Sequence, residues 1–335
     1  MKNIKSINQI MDIIYCSSLA PSGHNTQPWK FEVKDNVILL FPDYTRKLNI
    51  VDSDDHALFI SLGCALENLI IAANYFGYSA SVEYFPKDEE EECIRITLTN
   101  AKVVYDDNLF NAISNRQTTR SKFANTKIPL EDLKKLEQVS NQDSVSLVVF
   151  KEEKEIDPIL EFVKEANKLQ FQNKLFINEL ISWIRFNRKE AFARLDGLNP
   201  KSLGFPFIPK WLGKLFLNVF ATPNSEAKKS EKLIRGSSAL LLFVAQTDCK
   251  EAWVKLGQSF ERVVLKATSL NIKHAHVNMP CEETSVRQKM KNHLGFDVEQ
   301  PLILIRIGYA DLMPKSFRRP ISEVIVDNMV KNEKR

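Results

Sequence analysis

The sequence predicts an α+β chain made of two related halves that fold against each other as an intramolecular pseudo-dimer. Three observations carry this expectation. Residues 63–73 (GCALENLIIAA) and 257–267 (GQSFERVVLKA) align without a gap at an offset of 194, with Gly, Glu and Ala coinciding. Leu66, Leu69, Ile70, Ala73 and Phe76 then match Phe260, Val263, Val264, Ala267 and Leu270, the three-and-four spacing of a buried helix face. Each helix is followed by a short extended piece ending in proline, at 81–86 and 275–280, and by a strand with prominent β-branched residues, at 93–98 and 302–308. Two unrelated amphipathic helices can share three identities by chance, so the repeat is an expectation for the structure to test.

Taken in order, Ile10, Met11, Ile13, Ile14 and Leu19 fit an amphipathic helix. Phe31, Val33, Val37, Leu39 and Phe41 alternate like a hairpin turning at Lys34-Asp35-Asn36. Between them lie residues 20–29 (APSGHNTQPW). Pro21, Gly23 and Pro28 break both periodicities there, while Ser22, His24, Asn25, Thr26 and Gln27 supply short hydrogen-bonding groups. Such a loop either holds something polar or turns the connection, with Asn25 and Gln27 as caps and Trp29 as a core anchor.

The halves are expected at 1–105 and 106–335, because Asn100 and the pair Asp106-Asp107 loosen the pattern between 98 and 111. Residues 151–235 are additional to the second half. They read as helices over 159–176 and 179–193, a break at Asp196-Gly197, and a Phe- and Leu-rich stretch at 203–221. Two prolines, Lys210 and Lys214 interrupt that stretch, so no integral membrane segment is expected; it can be buried, cover a pocket or lie on a membrane surface. The segment at about 196–225 is the candidate lid.

A chain of 335 residues, 44% apolar and 26% charged, suits one large or two ordinary domains. Its 46 basic and 42 acidic residues leave a net charge of only +4, so nucleic acid is not an expected partner. Lys2, Lys5 and Asp12 interrupt the apolar start, which argues against a secretion signal. The cysteines (16, 64, 93, 249 and 281) are odd in number and widely separated, as for reduced thiols in the cytoplasm.

The main basic cluster is residues 115–120 (NRQTTR). Arg116 and Arg120 flanking Thr118 and Thr119 can give a phosphate forked, charge-assisted hydrogen bonds; the same residues also suit a solvated helix end. Arg318-Arg319-Pro320 adds a second basic pair, after Lys315. Neither a glycine-rich dinucleotide fingerprint nor a P-loop is present, so side chains would hold the phosphate. His274 and His276 alternate toward one face, yet nothing nearby completes a metal site, and none is expected. There is no nucleophile elbow and no defensible Ser-His-Asp order, so no catalytic side chain is assigned and a bound cofactor is expected to carry any chemistry.

The 21–29 loop (PSGHNTQPW) resembles the P-S-x-x-N-x-Q-P-W segment of the FMN-dependent nitroreductase superfamily. Residues 116–123 (RQTTRSKF) are similar to its phosphate-binding R-R-[ST]-x-R segment, and 307–309 (IGY) running on to 318–320 (RRP) resemble its C-terminal part. The likeness covers nearly the whole chain. It is strongest to the Acg-like branch, in which one chain contains both halves and an R-x-D-G segment resembles residues 194–197.

The resemblance implies a nitroreductase-like fold with central antiparallel or mixed sheets flanked by helices. It implies FMN as cofactor, NAD(P)H as reductant, ping-pong reduction of a small aromatic or conjugated acceptor, and a monomer or homodimer. It places Arg116, Thr118, Arg120, Arg318 and Arg319, with Lys315 as a further candidate, at the FMN phosphate. It places Pro21, Ser22, Gly23 and Asn25 at the flavin ring and ribityl chain, with Gln27 and Trp29 supporting the loop.

Two departures matter. No arginine cluster precedes Pro21, and residues 139–144 (VSNQDS) stand where a second P-S-x-x-N loop belongs, so one FMN per chain is expected. Gln117 replaces the family's second arginine and removes one charge. The alternative is a catalytically silent FMN-binding or storage protein whose lid covers the flavin.

Overall fold

The computed structural model describes residues 4–89, 91–102, 105–140 and 142–326; Lys2 and Asn141, which figure above, lie outside these. α1 (Ile4–Ser18) runs through the 20–29 loop into a hairpin of β1 (Trp29–Lys34) and β2 (Val37–Pro42), with Asp35 at a left-handed φ of 57° in the turn. α2 (His56–Tyr75), β3 (Tyr78–Tyr84) and β4 (Ile94–Asn100) follow. The four strands form an antiparallel sheet in the order β1-β2-β4-β3.

After α3 (Asp107–Asn115) and α4 (Leu130–Val139), the second half begins its own sheet with β5 (Val145–Phe150). Where β1 and β2 are joined by a tight turn, β5 is followed by five helices: α5 (Glu153–Gln172), α6 (Lys174–Trp183), α7 (Arg188–Arg194), α8 (Lys210–Phe220) and α9 (Pro223–Arg235). β6 (Ala239–Ala245), α10 (Lys250–Ser269) and β7 (Lys273–His276) resume the pattern, and α11 (Met279–Glu282) and α12 (Thr284–His293) precede β8 (Gln300–Gly308). A last turn, α13 (Ile321–Val324), leads to Ile325, which bridges in parallel to Phe31 of the first sheet.

The second sheet has the order β5-β6-β8-β7, so every strand stands where its counterpart stands in the first, and α10 stands for α2. The chain is an α+β pseudo-dimer, and the repeat at an offset of 194 is structural.

Three local expectations are corrected. The helices expected at 159–176 and 179–193 are three. Asn173 ends α5 and caps α6 by accepting from the Leu175 N–H at 2.9 Å, and Ile184 leaves α6 to bridge Leu198. β7 stops at His276 instead of running to Pro280. The Asn278 side chain accepts from the Leu304 N–H at 2.8 Å, and Pro280 sits in the first turn of α11, where a missing N–H is harmless. β3 begins and ends earlier than the 81–86 expected.

The two halves meet where α2 crosses α10. A Cβ on Gly63 would lie 1.9 Å from the Val254 carbonyl oxygen, and one on Gly257 would lie 2.0 Å from that of Ile60. Those four residues are themselves two pairs at the 194 offset, so the backbones touch about a local two-fold axis with no side chain between them. Among the described residues α2 is the one helix long and apolar enough to cross a membrane, but nearly all of it is buried. An all-round apolar helix of this kind is the core of a folded protein.

Gly63→Ala should therefore destabilise the protein by about 1–3 kcal/mol or more, as overpacking does. In an open helix the same change is stabilising by about 1 kcal/mol. Guanidinium unfolding decides, because the sign differs between a contact and a free surface.

Candidate functional site: an arginine-lined cavity

The 20–29 loop is held in an uncommon shape. His24, Asn25 and Gln27 all have φ near +50°, a region that costs side-chain-bearing residues about 1–3 kcal/mol each and persists only when surroundings enforce it. The enforcement is visible. Ser22 Oγ accepts from the Gln27 N–H at 2.9 Å. Asn25 exchanges backbone hydrogen bonds and side-chain contacts with the 195–197 turn: the Gly197 N–H donates to the Asn25 carbonyl, and Asn25 Nδ2 donates to the Gly197 carbonyl, both at 3.1 Å. Gln27 Nε2 donates to the Leu195 carbonyl at 3.0 Å.

That turn is the Arg194–Gly197 segment singled out in the sequence. Its Asp196 carboxylate takes Arg185 at 2.7 Å and also Arg46, whose Nε donates to the Thr26 carbonyl. Gly197 is at φ 71°, and a Cβ there would lie 2.3 Å from the Trp183 carbonyl oxygen.

The arginine segment is placed by the second sheet. The Thr119 N–H donates to the His274 carbonyl at 2.8 Å and Thr118 bridges His274 in parallel, so residues 118–119 extend the sheet beyond β7. Gln117 Oε1 accepts from the Met313 N–H at 2.9 Å, which docks the C-terminal segment here. Arg116 reaches back to donate to the Leu19 carbonyl at 2.9 Å and meets the buried Glu261 carboxyl at 3.2 Å. Arg318 donates to Asn25 Oδ1 at 2.8 Å and to the Leu19 and Ala20 carbonyls.

These elements enclose a cavity of about 530 Å³. Pro21, Ser22, Gly23, Asn25, Arg116, Thr118, Arg120 and Arg318 all line it, so two segments a hundred residues apart share one space. Lys315 lines it too, with its ammonium on the Ser114 carbonyl. Arg319 does not: its guanidinium turns to Glu323 and to the Gln27 carbonyl, and its N–H donates to Gln27 Oε1, so it braces the loop from behind. The Asn25 side chain is spent on Arg318, Gly197 and Phe317, which makes it a positioning group at the wall.

The sequence reading missed Arg306. It stands near the end of β8, directly after the apolar buried run 301–305, and that isolation was the available signal. Its Nη2 donates to the Ser121 carbonyl at 2.8 Å and its guanidinium lies 3.9 Å from the Phe123 ring centre.

The electrostatics follow from burial. Among the described residues no carboxylate lies within ion-pair distance of Arg120, Arg306 or Arg318, and buried charges are ordinarily paired. Burial, with Arg116 nearby, pulls Arg318 down to about 9; burial alone brings Arg120 and Arg306 to about 10, so all remain charged at neutral pH. His276 and His24 are pushed down to about 4 by burial and by Arg120, hence neutral. Arg306 Nη1, Arg318 Nε and Thr119 Oγ1 are buried without a protein partner. His274 lies well below the ordinary histidine range through burial and Arg116; its ring centre is 6.3 Å from that of His276. Asp52, Asp54 and His56 also come together, at the start of α2. Asp52 accepts from the Ala57 and Leu58 N–H groups and Asp54 pairs with Arg287, so the cluster is a helix cap tied to α12.

No family model matches the chain. Rv3131 of Mycobacterium tuberculosis, a protein assigned the name NAD(P)H nitroreductase, is 26% identical over 314 residues, 91% of this chain and 88% of its own length. Acg of the same organism, similarly named, is 24% identical over 324 residues, 94% of each chain. The chain is thus similar, over nearly its whole length, to proteins named as NAD(P)H nitroreductases, Acg among them. Among solved structures, the FMN-dependent nitroreductase NfnB of Mycobacterium smegmatis in complex with NADPH is 15% identical with a TM-score of 0.44, over 66% of this chain and 98% of NfnB. Iodotyrosine deiodinase bound to FMN and 3-iodo-L-tyrosine is 15% identical with a TM-score of 0.43, over 66% and 98%.

Within the cavity wall's support, Glu261 carries a pH signature. Burial, opposed by Arg116, lifts its carboxyl from the ordinary 4.5 to about 7. The folded state therefore binds the proton more tightly than the unfolded state, and stability falls as pH rises through that interval, then levels. Glu261→Gln should flatten this part of the ligand-free protein's stability profile between pH 4.5 and 7. Denaturant midpoints across that range check it, an unchanged slope being the adverse result.

Proposed function

We propose that this chain is an FMN-dependent oxidoreductase of the nitroreductase type. It would be reduced by NAD(P)H and would pass electrons to a small conjugated acceptor such as a nitroaromatic, quinone or enone. The observation that carries the reading is the excess of positive charge around the cavity. Six basic side chains (Arg116, Arg120, Lys229, Arg306, Lys315 and Arg318) line the cavity against two carboxylates, and Glu226 is already taken by Lys229 at 3.2 Å. A dianionic phosphate answers such a set, and partnerless N–H groups on Arg306 and Arg318 are available to it.

The residues fit FMN. Arg116, Arg120, Arg318 and the Thr118 hydroxyl would hold the phosphate, and Arg306 fixes the backbone of residues 119–121 through its Nη2. Pro21, Ser22, Gly23, Ile60 and Ser61 offer a largely small or apolar wall to a ring. Bound FMN supplies the hydride chemistry in both half-reactions; the protein supplies orientation, charge and exclusion of water. The chain keeps its five cysteines as free thiols, in line with a reducing cytoplasm.

The side chains at the symmetric position support one site per chain. Ser61 and Cys64 line the cavity, whereas their counterparts at the 194 offset are Lys255 and Gln258. Tyr84 hydrogen-bonds Gln258 at 2.7 Å and the Lys255 ammonium lies 5.2 Å from the Tyr84 ring centre, so long side chains stand where the cavity has Ser61 and Cys64.

A second reading rests on the insertion. Phe176, Leu180, Ile184, Leu198, Leu203, Phe205 and Leu217 wall the cavity, and such a cover can keep a nicotinamide out. The protein would then store FMN without turnover.

Purified holoprotein should contain about one flavin per chain, measured from absorbance; a ratio near two defeats the one-site reading. Arg120→Ala and Arg318→Ala should each weaken FMN about 10- to 100-fold, the worth of a charge-assisted hydrogen bond or two. Wild-type affinity in both would show the phosphate lies elsewhere. Anaerobic mixing with NADH or NADPH separates enzyme from store: bleaching of the flavin within seconds supports turnover, whereas colour removed only by dithionite supports storage.

A further inference from the structure

A helix on a protein surface ordinarily turns its apolar stripe inward and its polar face to water. α8 does the reverse. Residues 211, 215 and 219 and residues 212, 216 and 220 form two adjacent rows at four-residue spacing, Trp-Leu-Val and Leu-Phe-Phe. All six side chains are exposed, Trp211 to 68% and Phe220 to 61%. The helix is anchored on its other side. Gly213 sits on the Phe186 ring so closely that a Cβ would lie 2.1 Å away, and Leu217 packs on the cluster of Ile181, Ile184, Phe186 and Leu198. Phe205, also exposed, extends the ridge, its ring 6.3 Å from that of Phe216.

The charge within the segment that carries this ridge has one sign. Residues 197–225 contain Lys201, Lys210 and Lys214 and no Asp or Glu. Lys210 is met by Glu190 from α7 at 3.0 Å; Lys214 has no carboxylate partner among the described residues.

We propose that α8 is a docking helix that lies in the interface of an anionic lipid bilayer, its two apolar rows among the acyl chains and its lysines at the phosphate level. The pattern of a Trp- and Phe-bearing apolar face with flanking lysines is that of a helix lying in a membrane plane, and eleven residues are too few to span one. The charge favours lipid over a second copy of the chain. A two-fold contact through this face would set Lys214 of each copy at the border, where the nearby Glu190 is already held by Lys210. Leu217 and Ala221 line the cavity from this same helix end, so docking brings the cavity to within one helix of the lipid. The inference does not depend on the identity of what the cavity holds.

The test is flotation of the full-length protein with phosphatidylcholine vesicles, with and without phosphatidylglycerol. The protein should float with the anionic vesicles, much less with the neutral ones, and less as salt is raised. Leu215→Glu with Phe216→Glu should lower binding about tenfold or more at an unchanged melting temperature, since both positions are exposed. Lys214→Glu should lower it severalfold on anionic vesicles. Failure of the wild-type protein to float with anionic vesicles at low salt overturns the proposal, whatever the variants do. Equal flotation of the double variant overturns it as well. So does a dimer in sedimentation velocity that the double variant dissociates without any vesicle binding, which would assign the face to a second copy.

Discussion

Two helices that touch backbone to backbone, at Gly63 and Gly257, set the frame for everything else in this chain. Ile60, Ser61 and Cys64 on one side of the crossing and Phe260 on the other form part of the cavity wall. One turn beyond Gly257, Glu261 meets Arg116, and Arg116 in turn holds the carbonyl of Leu19 at the root of the 20–29 loop. Separation of the two helices would therefore move the arginine segment and the loop relative to each other. Close packing of this kind transmits displacement because it has no slack.

The parts of the fold that were legible in the sequence are those where one face is buried and the other is not. Helical spacing in 63–76 and 257–270 disclosed the repeat, and the reason for the shared glycine is now a contact. The shared glutamate is a subtler case. Glu67 and Glu261 are both buried and both paired with an arginine, but Glu67 takes Arg262 from α10 itself while Glu261 takes Arg116 from a distant segment. β6 has no alternation to read, because it is buried on both faces. The breaks near Asn173 and Ile184 depend on a side-chain cap and on a bridge to Leu198, and no local periodicity reports a partner that far along the chain.

For the site, the residue types in both motifs were legible and their division of labour was not. Asn25 looks like a ligand contact and is a tie between three segments; Arg319 looks like a second phosphate arginine and supports the loop from outside. Arg306 went unread because a lone charge within a strand has no motif around it. Its importance comes only from the sheet, which carries it under the backbone of residues 119–121.

The covalent joining of the halves has a consequence for how the cavity comes into being. In an assembly of separate subunits, a wall built from two chains exists only above some concentration. Here the 20–29 loop and the arginine segment meet through a linker of fixed length, so their encounter is intramolecular and insensitive to dilution. A change in either half also appears once per molecule instead of twice. That is the condition under which one half can carry α5–α9 where its twin keeps a two-residue turn, each tuned without a copy of the change opposing it across the axis.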